Sequence, residues 1–303
     1  MADTILVTGA TGTVGSEVIK QLVSSPDTSN FHIKAAVRSA GEESEKRVAA
    51  ERVKPVQIDY NKPDTIERAL KDVDRLFLLT PFQSDMVELS SNLVNAAKKS
   101  VAVKHIVKLS VMGADAEPGI IGGRLHRQAE KIIEESGISY TFLRPNFFMQ
   151  NFVNFFSQTI KEQGAFYVPA GDGKVSFVDV RDIAAVAVQA LSGNRSSKNG
   201  ESKHMGKAYD ITGGEALSYG EAAEILSKEL GKKVNYVNIS DEDARKGMKD
   251  MGADEWTINS MTELFGIARE GYLSEISPVV EQVTGKKPIT FSQFARDYAE
   301  AFK

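Results

Sequence analysis

Three glycines, Gly9, Gly12 and Gly15, punctuate the run LVTGATGTVG near the start of the chain. The residues before them are apolar and β-forming, and those after them repeat apolar positions three or four apart, so a strand must give way to a helix inside this run. In that setting Gly9 permits a tight turn, Gly12 removes the Cβ that would bar a phosphate, and Gly15 lets the helix pack against the sheet. The amides of Thr11, Thr13 and Val14 share the turn, and the helix adds unpaired N–H groups and a positive dipole end. Such a cradle suits a pyrophosphate. The run lacks the Gly-Lys-Ser/Thr ending of a nucleoside-triphosphate loop, so kinase or ATPase chemistry is not expected.

The next strand selects the nucleotide. A dinucleotide site that holds a free ribose 2′-hydroxyl places an acid at the end of this strand. Here the sequence reads AAVRSAG, with Arg38 in that place and no acid before Glu42. A guanidinium can pair with a 2′-phosphate through two charge-assisted bonds, so the expected cofactor is NADP(H) rather than NAD. Asp59, at the end of the third strand, is placed to reach an adenine amino group or to cap the helix near Pro63. Leu79, Thr80 and Pro81 end the fourth strand and Ser110 the fifth. Pro145, Asn146 and Phe147 follow the sixth, so all should border a cleft at the carboxyl edge of the sheet.

The elements that must position these residues alternate regularly. Strands are expected at residues 4–8, 31–37, 55–59, 75–79, 105–110 and 139–143, with helices at 15–23, 65–71, 86–100 and 124–136. That pattern is α/β, a doubly wound parallel sheet covered on both faces. After Pro145 five phenylalanines crowd together, at 147, 148, 152, 155 and 156. A hairpin-like stretch is expected around Gly171 and Gly173, a helix at 181–191, an exposed polar loop at 193–206 and a strand at 207–212. The remainder reads as helical at 219–231, 241–251, 255–268 and 291–302, with a strand at 233–239. The expected domains are 1–146, with about 177–212 added, for the nucleotide, and an interleaved, smaller, helix-rich cap over 147–303.

The bulk numbers exclude other classes. The 303 residues are 42% hydrophobic and 26% charged, enough for a sizeable core. A net charge of -4 argues against nucleic acid and against an anionic membrane surface, both of which need a basic footprint. With no cysteine there is neither disulfide nor thiolate chemistry. No window has the length of a spanning helix and no leader pattern is present, so a cytoplasmic location is expected. No His/Asp/Glu cluster has metal spacing.

Several stretches together resemble the NmrA-like branch of the atypical short-chain dehydrogenases, which includes type 2 NADPH:quinone oxidoreductases and triphenylmethane reductases. They are ILVTGATGTVG at the start, HIVKLSVMGAD at 105–115, HRQAEKIIEESGISYTFLRPNFFMQNF at 126–152, FVDVRDIAAVAVQAL at 177–191 and AYDITGGEALSYGEAAEILSKELGKKVNYV at 208–237. VTGKKPITFSQFARDYAEAF near the end continues the likeness, which covers almost the whole chain. The resemblance implies a Rossmann-type sheet, an NADPH site and a small C-terminal domain over the nicotinamide. Ordinary members of the wider group use a Tyr-x-x-x-Lys pair for proton transfer. None of the eight tyrosines here has lysine four residues on, and the resemblance sets Gly122 and His126 in that place instead.

A quinone or a cationic dye accepts hydride directly, so catalysis would rest on positioning. A small planar or conjugated substrate and a monomer or homodimer are therefore expected. His126 is the candidate proton donor or oxyanion partner, its alternative being a surface histidine paired with Glu130. Asn146 would bind a substrate oxygen or cap the next helix. The phenylalanines would form an aromatic wall or ordinary core, and Trp256 and Phe265 are candidate cap residues. Two other functions share these features: a non-catalytic NADP(H) sensor of NmrA type, and a reductase of a C=C bond or imine in a biosynthetic pathway.

Overall fold

The computed structural model describes residues 3–38, 41, 46, 48, 50–193 and 202–303. Its strands are β1 (Thr4–Val7), β2 (His32–Val37), β3 (Val53–Gln57), β4 (Arg75–Leu78), β5 (His105–Leu109), β6 (Ser139–Pro145), β7 (Ala165–Val168), β8 (Lys174–Val175), β9 (Lys207–Ile211), β10 (Leu217–Ser218) and β11 (Asn235–Asn238). Seven of them form one sheet in the order β3-β2-β1-β4-β5-β6-β9. The registers from β3 through to β6 are all parallel. This is the Rossmann-type α/β fold expected from the alternating pattern. The order reverses between β1 and β4, so the loops that leave those two strands part and open a crevice at their carboxyl ends.

By chain contacts the molecule divides into two units. The first comprises residues 1–116, 123–144 and 183–209. Its helices include α1 (Thr13–Ser24), α2 (Pro63–Leu70), α3 (Met86–Ser100) and most of α4 (Ile121–Ser136). All four residues of β1 are buried, as a strand covered on both faces must be. Val14, Val18, Ile19 and Leu22 form the buried stripe of α1. On the sheet, Leu6, Leu76, Leu78, Ile106 and Phe142 share one apolar cluster with Ile66, Leu70, Leu93 and Ile133 from the helices.

The second unit comprises residues 117–122, 145–182 and 210–303. Its helices include α5 (Ser157–Gln163), α7 (Tyr219–Leu230), α8 (Asp241–Asp250), α9 (Glu255–Arg269), α10 (Val279–Thr284) and α11 (Phe291–Asp297), with α6 (Val180–Ser192) starting here and running into the first unit. Phe152 is its centre: buried, it has Phe156, Phe166, Phe177, Tyr219 and Phe291 around it at 5.0–5.9 Å between ring centroids. Most contacts are edge-to-face, the arrangement ring quadrupoles favour. Of the crowded phenylalanines, Phe155 alone is largely exposed.

The structure departs from the sequence pattern in four places. No hairpin forms around Gly171 and Gly173, because β7 pairs in parallel with β11 and β8 pairs antiparallel with β10. Residues 202–206 are not an exposed loop: Ser202 and His204 are buried, since Thr141 Oγ1 donates to His204 O at 2.7 Å and Gly206 N to Tyr140 O at 2.7 Å. The rest of that polar stretch, 194–201, lies outside the described residues. The last helix stops at Asp297 and resumes as a 3-10 turn, Ala299–Phe302. The short α10, VVEQVT, is rich in β-branched residues that gave no helical signal. Among the described residues no helix is long and apolar enough to cross a membrane.

Three histidines are folded in the neutral form. His105 and His204 are each lowered by burial to about 4, the charges of Arg75 and Lys203 respectively adding to the effect. His126 is held well below the ordinary value, first by burial and then by the charge of Lys108. In the unfolded chain each would take up a proton near pH 6.5. Stability is therefore complete above that pH and is lost as pH falls toward 4, at about 1.4 kcal/mol per pH unit for each histidine. Asp182, pushed up to about 6 by burial, offsets the share of one histidine between about pH 6 and 4. The melting temperature is expected to fall steadily from pH 6.5 to 4.5, and less steeply in His105→Gln. A flat profile in the wild type would refute it.

Candidate functional site

The glycine turn is built as a close backbone-on-backbone fit. Gly9 has a φ of +64°, and a Cβ there would also lie 2.8 Å from Leu79 Cδ2. Gly12 N donates to Gly9 O at 2.9 Å, which closes the turn. A Cβ on Gly15 would lie 2.2 Å from Gly9 O, so α1 can start where it does only with hydrogen at that position. A Cβ on Gly12 would come no closer than 3.4 Å to Gly9 O. Nothing among the described residues bars a Cβ at position 12. No side chain caps α1, whose first turn holds Thr13, Val14 and Gly15 beside the exposed Thr11. Its N-terminus is the kind of end that accepts a phosphate.

The loop after β4 is fixed to this turn. Thr8 Oγ1 lies 3.1 Å from Phe77 O and 2.9 Å from Leu79 O, and accepts from Leu79 N at 2.7 Å. Tyr60 Oη donates to the same Leu79 carbonyl at 2.8 Å. Thr80 is buried, its hydroxyl 3.2 Å from that of Ser90, and Pro81 follows half-buried. Arg38, just past β2, is exposed and has no salt-bridge partner among the described residues. Its charge acts on Asp59 and Tyr60, so the three residues share one end of the sheet. Asp59 Oδ1 accepts from Asn61 N at 3.0 Å and Oδ2 lies 3.3 Å from Lys62 Nζ, which leaves the capping of α2 to other groups.

Beneath α4 lies a buried charge cluster. Glu130, fully buried, accepts from Arg144 Nε at 3.0 Å and Nη2 at 2.8 Å, from Ser110 Oγ at 2.7 Å and from Arg127 Nη1 at 3.1 Å. Arg144 also reaches Asp115 at 2.7 Å. Glu130 is therefore not the partner of His126, and His126 is not on the surface: it is 8% exposed. Its Nδ1 lies 3.0 Å from the Nζ of Lys108, a fully buried lysine of β5 that also donates to Leu109 O at 2.8 Å. The Phe82 ring stands nearly parallel to the imidazole, 13° between planes and 6.3 Å between centroids, and is 46% exposed.

In the second unit, Asn146 Nδ2 donates to Ser176 Oγ at 2.7 Å and to Leu273 O at 2.8 Å, while Oδ1 accepts from Phe147 N at 2.8 Å. Both amide hydrogens are used and the side chain is buried, so Asn146 is a framework residue, correcting its assignment to a substrate oxygen or a helix cap. Pro145 is buried as the last residue of β6. Phe147 packs on Phe177 and on Phe265 of α9, and Trp256 is half-buried on the same helix.

Sequence reasoning passed over Phe82, Lys108, Thr8 and Tyr60. Lys108 carried one readable signal: it interrupts the apolar strand HIVKLS, where a covered parallel strand should be apolar throughout. The two glycines separate by experiment. Gly15→Ala should destabilise the nucleotide-free protein, whereas Gly12→Ala should stay within about 1 kcal/mol of wild type. If Gly12 faces a phosphate, Gly12→Ala should still weaken nucleotide binding at least about tenfold by calorimetry. Unchanged affinity in Gly12→Ala would remove that role.

Comparison with known proteins agrees with this architecture. The chain is 41% identical over 298 residues to an NAD(P)H azoreductase of Xenophilus azovorans, a match covering 98% of this chain and 99% of that protein. An NADPH-dependent quinone oxidoreductase from Escherichia coli, solved in complex with NADPH, superposes with a TM-score of 0.82 at 29% identity, covering 97% of this chain and 99% of that one. The Citrobacter sp. triphenylmethane reductase complexed with NADP(H) gives 0.81 at 27% identity, with 97% and 99% covered. The profile of the NmrA-like family matches residues 1–295, and the chain belongs to that family.

Proposed function

We propose that this chain is an NAD(P)H-dependent oxidoreductase that uses NADPH to reduce a flat, conjugated acceptor of the azo, quinone or dye class by direct hydride transfer. Relatives named for azo, quinone and triphenylmethane reduction support the class of reaction. The observation that carries the acceptor class is the exposed Phe82 ring beside the parallel His126 imidazole. A flat apolar face then adjoins a nitrogen able to hydrogen-bond a heteroatom, and a planar acceptor stacks there at little entropic cost.

When bound, the nucleotide supplies the hydride; the protein supplies placement. The amides of the glycine turn and of α1 hold the pyrophosphate. Arg38 pairs with the 2′-phosphate, a role left open to it by its exposure and by the lack of a salt-bridge partner among the described residues. Thr80, Pro81 and Ser110 border the nicotinamide. Ser110 does so as a rigid wall, because its hydroxyl is already given to Glu130. A conjugated acceptor spreads the charge it receives, so no tyrosinate–lysine pair is required to polarise it.

Oxidation of NADPH followed with a panel of azo dyes, quinones and triphenylmethane dyes tests the reading. Turnover with at least one class is expected. Arg38→Ala should raise the Kd for NADPH about tenfold or more while leaving that for NADH within about twofold. Tight NADPH binding with no turnover on any acceptor would favour a nucleotide-sensing role instead. A native preference for NADH would remove Arg38 from the site.

A further inference from the structure

Lys108 is costly where it stands. Its neighbours on β5, Ile106 and Val107, are fully buried, and an apolar side chain would satisfy the same packing without desolvating an amine. The carboxylate whose charge acts on it, Glu130, is already saturated by Arg144, Arg127 and Ser110, and Lys108 has no ion pair among the described residues. What it does have is the imidazole of His126, at hydrogen-bond distance through Nδ1. The other ring nitrogen, Nε2, has no hydrogen-bond partner among the described residues, and the residue as a whole keeps 8% of its surface exposed.

We propose, resting on the reductase reading above, that Lys108 is the positioning residue for proton delivery. It donates to Nδ1 of His126, and so holds the ring hydrogen on Nε2, where it meets the acceptor's heteroatom. A lysine ammonium has donors and no acceptor, so while it is charged the facing nitrogen must offer its lone pair. The neutral imidazole then has one tautomer. With a neutral azo or quinone acceptor, a hydride, carrying two electrons, reduces one end of the conjugated system, and the anionic heteroatom at the other end takes the proton from Nε2; a cationic dye is neutralised by the hydride itself and needs no such proton. The Nε2–H bond breaks as the heteroatom–H bond forms. In step, Lys108 gives a proton to Nδ1 and becomes a neutral amine. It takes that proton back when water reprotonates Nε2. The net change consumes NADPH, one acceptor and one proton.

Burial lowers Lys108 to about 7, against the opposing pull of Glu130. The other charges around the pair are Arg127 on α4, Arg144 on β6 and Asp115 after β5, all tied into the Glu130 cluster. Below pH 7 the ammonium fixes the tautomer. Above it, a neutral amine can accept from Nδ1–H and the constraint is released. Activity should therefore decline as pH rises through about 7.

Two measurements decide the matter. Nitrogen-15 NMR of labelled histidine in the nucleotide-free protein should show His126 with hydrogen on Nε2 at pH 6, and a mixture of tautomers in Lys108→Met at the same pH. In steady-state assays Lys108→Met should lose about a hundredfold in kcat. It should also lose the decline through neutral pH, with its Kd for NADPH and its melting temperature kept. A His126 protonated on Nδ1 at pH 6, or a Lys108→Met enzyme within threefold of wild-type kcat at pH 6, would overturn the proposal. A wild type that turns over no acceptor would end the reductase reading. The tautomer measurement would then decide the Lys108–His126 relation on its own.

Discussion

One carboxylate governs the unit built on the parallel sheet. Glu130 sits with no exposed surface between α4, β5 and β6, and takes hydrogen bonds from Arg144, Arg127 and Ser110. Two charges removed from water repay their desolvation only when the geometry is good and the remaining lone pairs are filled. Both conditions are met here by a two-pronged guanidinium and by a hydroxyl from the neighbouring strand. The consequence is positional. The helix that carries His126 is locked in rotation and register above the strand that carries Lys108, and an apolar interface would allow more slippage.

The same cluster explains the unusual state of its neighbours. Because Glu130 is spent on arginine, Lys108 faces a low-dielectric interior with an imidazole for company. Its charge, 3.0 Å from Nδ1, adds to burial in keeping His126 neutral. Burial thus favours the neutral form of both groups, His126 more strongly than Lys108. The second unit shows the opposite economy. Its core is a stack of aromatic rings around Phe152, and Asn146 closes its polar bonds internally.

Much of this was legible from residue order. The strand–glycine–helix opening predicts its own turn, since few backbones pass from a strand to a buried helix in so short a run. Gly9 at positive φ and Gly15 against the Gly9 carbonyl are the local reasons. Alternating strands and helices predict the parallel sheet, and the sequence motifs identify the family. The hairpin around Gly171 failed because glycine spacing records where a chain can turn and not which strand it meets afterwards. The buried His204 was read as loop because polarity says nothing of whether a partner, here Thr141 and Tyr209, waits in the fold.

The chemical centre divides in the same way. Sequence by itself determined the strand–glycine–helix turn and the arginine at the end of the second strand, because short-range backbone geometry and strand order set both. It determined the absence of lysine four residues after any tyrosine, since that is a matter of spacing. Only the tertiary structure decided that His126 is buried against Lys108 rather than paired with Glu130, that Asn146 is consumed by framework bonds, and that the Phe82 ring stands near and parallel to the imidazole. Those contacts join segments far apart in the chain, and hydrogen bonding and desolvation depend on what surrounds a side chain in space, which spacing along a strand or helix does not encode.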